Sequence, residues 1–226
     1  MLVRKQWELI MMELQEAQMI DVDNIKAVYL AAEDLKIAAS ILYLAYHDDP
    51  LFVDIFQSEK EGYEFRLRCA IREELNAFWL AKQPMVGLFD ADRLIAVACL
   101  VNPDAELGPN RFWHWRLKML LTAGYLGTKQ MVEKETKVRA RIPAEYFHML
   151  SLIGVHPDQQ HNGLGHVLMS AIQGIMLEDP NSQGVAMYVT LPKCLPFFEN
   201  GHYNLVEELE VGSIKGHLMF RPRNIQ

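Results

Sequence analysis

The sequence predicts an α/β fold in which helices cover both faces of one mixed β-sheet. The main observation is a strand, helix, strand unit between residues 146 and 191. Its two outer segments are continuous apolar runs, which are typical of strands buried on both faces. The segment between them repeats apolar residues at helical spacing, so we expect two parallel strands joined by a right-handed crossover. Hairpin patterns on either side of this unit add antiparallel strands.

The other elements follow from local patterns along the chain. Residues 1–22 are expected to form an N-terminal helical extension, because apolar side chains recur at helical spacing there. The patterns then predict a strand at 25–30, helices at 33–45 and 58–81, a hairpin from 85–89 to 94–101, one or two helices at 111–138, a short helix near 193–200 and strands at 203–210 and 213–221. We therefore expect residues 23–226 to form a single domain with a helical segment at 102–142.

Composition narrows the function classes. The net charge of −7 disfavours non-specific binding to nucleic acid. The three cysteines are far apart and form no CxxC pair, which is typical of buried thiols in a reducing compartment. No stretch approaches the roughly 20 apolar residues of a membrane span, and the N-terminal segment lacks the apolar core of a signal peptide. We therefore expect a cytoplasmic protein without a membrane span.

The stretch HPDQQHNGLGH, residues 156–166, lies between the buried strand and the amphipathic helix. The first turn of a helix favours an anion, and glycine lets the anion approach the backbone. The pattern is Q-x-x-G-x-G, which differs from both GxGxxG and GxxxxGK[ST]. Its three histidines are spaced by five residues, so they do not converge as metal ligands, and no metal is expected. The stretch is therefore interpreted as a phosphate cradle, with a ligand-free surface turn as the alternative.

Two segments together resemble the GNAT superfamily of N-acetyltransferases. The run from Leu152 to Gly165 resembles its acetyl-CoA motif, and the run from Cys194 to Glu208 resembles a later segment with an aromatic pair before Glu. The resemblance covers roughly 23–221 and is strongest for longer bacterial-type members with a helical insertion before the fourth strand. It implies the acyl-CoA N-acyltransferase fold: a mostly antiparallel sheet of about seven strands, with the fourth and fifth parallel and splayed.

The resemblance also implies how acetyl-CoA binds. The end of the fourth strand would pair with the pantetheine arm, the loop would hold the pyrophosphate, and a backbone N–H near Val155 would polarise the acetyl carbonyl. The residues to which the resemblance assigns cofactor binding are Ile153, Gly154, Val155, Gln160, His161, Asn162, Gly163, Leu164, Gly165 and Phe198.

The resemblance does not supply a complete set of proton-transfer residues. Phe198 stands where many members have a tyrosine as general acid, and a phenyl ring cannot donate a proton. The strand positions that often carry the base hold Met149 and Ser151. The catalytic candidates are therefore Ser151, His148 and Glu145, and strand alternation separates His148 from Ser151 unless a bulge intervenes.

The acceptor is expected to be an amine of a small molecule or a peptide, and a homodimer is compatible with the resemblance. Asp48 and Asp49 would attract a cationic amine if they border the acceptor site; otherwise they form a solvated turn. The aromatic group 112–115 would line a substrate pocket, pack in the core or contact a membrane surface. A non-catalytic protein that binds acyl-CoA is the alternative to an enzyme.

Overall fold

The computed structural model describes residues 24–105 and 113–224, with side chains described at 24–105 and 127–224. The strands are β1 (Ile25–Tyr29), β2 (Met85–Asp90), β3 (Arg93–Val101), β4 (His148–Val155), β5 (Gly184–Val189), β6 (Asn204–Val211) and β7 (Ile214–Pro222). The α-helices are α1 (Leu35–Tyr46), α2 (Pro50–Ile55), α3 (Tyr63–Leu80), α4 (Trp113–Arg141), α5 (Leu164–Glu178) and α6 (Leu195–Asn200).

The seven strands form one sheet in the order β1-β2-β3-β4-β5-β7-β6. Every neighbouring pair is antiparallel except β4 and β5, which are parallel and joined through α5. This confirms the predicted mixed, mostly antiparallel sheet with one helical crossover.

β4 and β5 separate soon after they begin. Their pairing runs only from His148 with Val185 to Leu150 with Met187. The rest of β4 pairs with β3 alone. A gap therefore opens between the two parallel strands toward their carboxyl ends, which confirms the predicted splay.

Each face of the sheet carries its own hydrophobic core. The buried side chains of α1, α2 and α3 pack on one face together with residues of α4, and those of α5 and α6 pack on the other. The amphipathic pattern of α5 explains its position, since its apolar stripe (Leu164, Leu168, Ile172 and Ile175) is buried.

A β-bulge changes the phase of β4 at Ser151. Cys99 and Leu100 are adjacent in β3, yet their partners are Leu152 and Leu150, so Ser151 is an extra residue in β4. Met149 and Leu152 consequently pack in the same core, although they are an odd number of residues apart. The bulge that the sequence analysis allowed for is thus present, within the segment that borders the gap.

Helix α1 approaches β4 closely. A Cβ atom added at Gly154 would lie 2.9 Å from the Cβ of Ala45, closer than side chains pack. Gly154 therefore sets the distance between α1 and the sheet, and it brings the end of α1 next to the gap.

Several predicted boundaries differ from the observed ones. Helix α2 was not predicted; it begins at Pro50 and is capped by the side chain of Asp49. The helix predicted at 58–81 begins at Tyr63, because Gly62 adopts a φ of 81° and interrupts the helical backbone. Within the described part of the insertion, 102–105 and 113–142, there is one long helix, α4. The predicted extension at 1–22 and the side chains of the aromatic group 112–115 lie outside the described residues.

Candidate active site

The backbone of β4 presents hydrogen-bonding groups to the gap. In an antiparallel pair, alternate residues bond to the partner strand and the residues between them point away from it. His156 donates its N–H to the carbonyl of Ile95 at 2.8 Å, so the register places Gly154 in a bonded pair with β3. Ile153 and Val155 therefore direct their N–H and C=O groups to the side from which β5 has diverged.

Tyr46, the last residue of α1, reaches this edge of β4. The N–H of Ile153 donates to the phenolic oxygen of Tyr46 at 3.0 Å. The Tyr46 ring packs against Phe52 of α2, with the ring centroids 4.8 Å apart. Burial raises the pKa of the Tyr46 hydroxyl above its usual range, against the opposing effect of the Ile153 hydrogen bond. The phenol therefore stays protonated at neutral pH.

Asp49 connects the turn between α1 and α2 to the end of β5. Its carboxylate is 5% exposed. One oxygen accepts hydrogen bonds from the N–H groups of Leu51 and Phe52, at 3.0 and 3.3 Å. The other oxygen accepts from the hydroxyl of Thr190, the residue that follows β5. Burial raises the pKa of Asp49, and these hydrogen bonds oppose the shift.

Tyr46 and Asp49 together span the gap. Tyr46 contacts β4 and Asp49 contacts the residue after β5, although they are only three positions apart in the chain. The corner between α1 and α2 therefore bridges the two splayed strands on one face of the sheet. It brings a protonated phenol and a buried carboxylate to the same opening.

The loop after β4 is shaped by its own hydrogen bonds. The side-chain amide of Gln160 donates to the carbonyl of Val155 at 3.2 Å, and Nδ1 of His156 accepts from the N–H of Asp158 at 3.3 Å. His161 and Gly163 both have positive φ, 66° and 77°. A Cβ at Gly163 would meet nothing within 4 Å, so the space beside this residue at the entrance to α5 is open. This geometry fits a helix N-terminus that an anion approaches closely.

The two glycines of the motif have different surroundings. A Cβ at Gly165 would lie 2.9 Å from Cζ of Phe197. Gly165 therefore lacks a side chain because the ring of Phe197 occupies that position. Both glycines were predicted to let an anion approach the backbone, and the packing of Phe197 against Gly165 was not predicted. The role of the Gly165 backbone in anion binding stays a prediction, as do the roles of exposed His161 and of Asn162, whose amide donates to Gln159 at 3.5 Å.

Leu164 and Phe198 belong to the core beneath this loop. Both side chains are buried on the α5 face. The Phe198 ring packs against the rings of Phe197 and Tyr203, with centroid distances of 5.2 and 6.2 Å. Because their side chains are buried, these two residues can act in cofactor binding only through their backbone or by supporting the surface above them.

The three catalytic candidates do not come together. His148 is 1% exposed and lies in the paired part of β4, where its Nδ1 is 2.9 Å from the hydroxyl of Ser182. Exposed Glu145 precedes β4, and its backbone N–H donates to Gln183. Ser151 alone lies beyond the paired segment, in a narrow cavity that Glu74 and Lys134 also line. The proton-transfer roles of all three stay predictions.

Sequence reasoning missed Tyr46 and the partner of Asp49. The run from His47 to Pro50 was interpreted as the end of a helix, and only Asp48 and Asp49 were considered for a role in the site. Ile153 is 107 positions from Tyr46, and Thr190 is 141 positions from Asp49. The available signal was an aromatic residue followed by an N-capping Asp-Pro pair at the end of an apolar helix.

Metal-binding clusters and membrane-spanning helices are both absent from the described ranges 24–105 and 113–224. Within them, no three His, Cys, Asp or Glu side chains cluster in a way that would hold a metal ion. No helix in the same ranges has the length and apolar character needed to cross a membrane.

Comparison with known proteins identifies the fold. No protein-family model matches the sequence, and no curated protein matches it. Among solved structures, similarity extends to a Corynebacterium glutamicum protein described as "histone acetyltransferase HPA2 and related acetyltransferase", at a TM-score of 0.67 and 12% identity over 90% of this chain and 98% of that one.

Two insect proteins are also similar. A polyamine N-acetyltransferase of Drosophila melanogaster has a TM-score of 0.61 and 16% identity over 87% of this chain and 98% of its own. A putative arylalkylamine N-acetyltransferase of the yellow fever mosquito has a TM-score of 0.60 and 9% identity over 88% of each chain. The chain thus has the acyl-CoA N-acyltransferase fold that GNAT acetyltransferases share.

Proposed function

We propose that this protein is a GNAT-type N-acetyltransferase that transfers an acetyl group from acetyl-CoA to the amine of a small molecule. The observation that carries the proposal is the gap between β4 and β5, which Ile153 and Val155 line with backbone groups. It lies at the same edge of the sheet as the open turn at Gly163. A thioester arm and a pyrophosphate on one molecule match these two features.

The donor is held by backbone rather than by charged side chains. The β4 edge binds the pantetheine arm through the Val155 N–H and the Ile153 C=O, because the Ile153 N–H donates to Tyr46 and the Val155 C=O accepts from Gln160. The N–H groups of residues 161–165 bind the pyrophosphate, since the N–H of Gln160 donates to Pro157. Acetyl-CoA supplies the activated acetyl group. The amine nitrogen forms a bond to the carbonyl carbon, the carbon–sulfur bond breaks with its electron pair on sulfur, and the proton lost by nitrogen ends on the CoA thiol.

The acceptor that suits this site is a small cationic amine. Asp49 is a buried carboxylate at the mouth of the gap, and the chain as a whole is acidic. Structures with the same fold include an agmatine N-acetyltransferase and the polyamine enzyme described above. A peptide amine remains the second acceptor class, and the cytoplasmic location remains a prediction.

Thermal melting with acetyl-CoA tests donor binding. A ligand at 100 times its Kd stabilises the native state by about 2.7 kcal/mol, which raises the Tm of a chain of this size by roughly 5 to 10 °C. ATP serves as the control for non-specific effects of a nucleotide phosphate. An unchanged Tm at millimolar acetyl-CoA would contradict both the proposed enzyme and the alternative of a non-catalytic protein that binds acyl-CoA.

A thiol-release assay then separates the two functions. We expect CoA release with polyamines or with arylalkylamines, and less with a peptide amine. The non-catalytic alternative is favoured by the burial of Phe198 and by the distance of His148 from the gap. Binding without CoA release across the whole amine panel would support that alternative.

A further inference from the structure

We infer that the hydroxyl of Tyr46 is the hydrogen-bond donor that stabilises the acetyl carbonyl oxygen during transfer, in place of the backbone N–H of Ile153. The inference rests on the proposed function, since it concerns the same site and the same donor. It differs from the expectation that a backbone N–H of β4 performs this task directly.

The N–H of Ile153 already has a hydrogen-bond partner. It points into the gap and donates to the Tyr46 oxygen at 3.0 Å. A carbonyl oxygen that enters the gap beside Ile153 therefore meets the Tyr46 hydroxyl at the position where it would otherwise meet the N–H.

The hydroxyl of Tyr46 still has its proton to donate. A phenol both accepts and donates a hydrogen bond. Its oxygen accepts from Ile153, and within residues 24–105 and 127–224 no acceptor is found for its hydroxyl proton. A hydroxyl that accepts a hydrogen bond is polarised and becomes a stronger donor. The Ile153 N–H thus acts through Tyr46 rather than on the substrate.

The Tyr46 hydroxyl keeps both its proton and its position. Burial raises the pKa of Tyr46, so it remains a neutral donor over the pH range in which the amine reacts. The ring is fixed by Phe52, and the helix end is fixed by the contact between Ala45 and Gly154. A donor that is already oriented does not need to reorganise when negative charge develops on oxygen.

In this role, no proton leaves Tyr46. The nitrogen–carbon bond forms while the electron pair of the carbonyl moves onto oxygen, and the Tyr46 hydroxyl donates to that oxygen. The pair then returns, the carbon–sulfur bond breaks, and the proton from nitrogen reaches sulfur. Tyr46 lowers the barrier to both halves of the transfer.

The test compares Tyr46→Phe with Tyr43→Phe. Tyr43 lies one turn earlier on α1, where its ring packs under the Arg68 guanidinium at 3.5 Å, so this control removes a hydroxyl from the same helix away from the gap. Both variants are loaded with acetyl-CoA labelled with carbon-13 at the carbonyl, without amine, and the carbonyl stretch is measured by infrared difference spectroscopy. We expect the Tyr46→Phe band at higher wavenumber, whereas Tyr43→Phe should match the wild type.

Kinetics provide a second measurement. Loss of one oxyanion donor lowers kcat by about 10²- to 10³-fold. We expect that loss in Tyr46→Phe with unchanged melting shift by acetyl-CoA and unchanged KM for the amine. If Tyr46→Phe does not fold, 3-fluorotyrosine at this position keeps the ring and strengthens the donor, which should move the band to lower wavenumber.

The outcomes separate the inference from the proposed function. No melting shift in the wild type would defeat the proposed function. A normal melting shift with the same carbonyl band and the same kcat in Tyr46→Phe would overturn the inference alone. If no amine releases CoA, the infrared measurement still decides whether Tyr46 contacts the carbonyl.

Discussion

Gly154→Ala tests the contact that positions α1 against β4. The new Cβ would begin 2.9 Å from the Cβ of Ala45, which has no flexible end that could move aside. Ordinary carbon contacts are about 3.5 to 4.0 Å, so the helix must retreat by roughly 0.6 to 1.1 Å. Overpacking of this kind costs about 1 to 3 kcal/mol. We therefore expect the Tm to fall by roughly 2 to 12 °C.

The same displacement should reach the active site through the neighbouring residue. Tyr46 follows Ala45, and its hydrogen bond from Ile153 is 3.0 Å long. A retreat of about 0.6 Å would lengthen this distance to about 3.6 Å, beyond the range of a hydrogen bond. We expect kcat to fall together with stability.

Gly174→Ala is the matched control, because a Cβ at Gly174 in α5 meets nothing within 4 Å. It should gain about 0.5 to 1 kcal/mol, since alanine is the better helix former. Urea unfolding and the CoA-release assay measure both variants. If Gly154→Ala is as stable and as active as Gly174→Ala, the close approach of α1 does not position Tyr46.

Three further variants probe the anion site, the carboxylate and the buried histidine. Gly163→Glu and Gly163→Gln share the strain of a side chain at positive φ, and they differ in the negative charge that Glu adds. Because that charge repels the pyrophosphate, only the Glu variant should lose the increase in Tm caused by acetyl-CoA. An equal increase in both variants would place the pyrophosphate elsewhere. Asp49→Asn retains an N-capping side chain, and it should raise the KM for a cationic amine by roughly 10- to 100-fold with donor binding unchanged; an unchanged KM would exclude contact with the amine. Burial lowers the pKa of His148, so the unfolded state binds a proton more readily than the folded state does. As the pH decreases from about 6.5, the free energy of unfolding should therefore decrease by up to about 1.4 kcal/mol per pH unit. His148→Gln should reduce this slope in urea unfolding between pH 7 and pH 5, and an unchanged slope would contradict the burial argument.

The parts of the fold that could be predicted are those encoded within single segments. The apolar runs that become β4 and β5 and the stripe on α5 specify buried elements without reference to the rest of the chain. α2 was missed because its six residues are too few to show a period, and because the Asp49-Pro50 signal also marks a helix end.

The site divides in the same way. The loop from His156 to Gly163 is contiguous, and its glycine and flanking elements were enough for the prediction of a phosphate cradle. Tyr46 meets Ile153 only after the sheet and α1 have assembled, and no local pattern records that contact. The packing of Gly165 was equally absent from local patterns, because the ring that excludes a side chain there comes from Phe197 in another helix.

The short pairing of β4 with β5 leaves few hydrogen bonds between two parts of the sheet. Four strands stand on one side of this seam and three on the other, and three residue pairs join them. Acetyl-CoA would connect the two halves of the sheet if it hydrogen-bonds along the free edge of β4 and also contacts the residues after β5. Donor binding should then make the two halves of the sheet unfold together rather than separately. The backbone amides of β5 and β7 should therefore exchange more slowly with solvent when the donor is bound. The opening proposed to receive the donor would then also be the place where the sheet opens most easily without it.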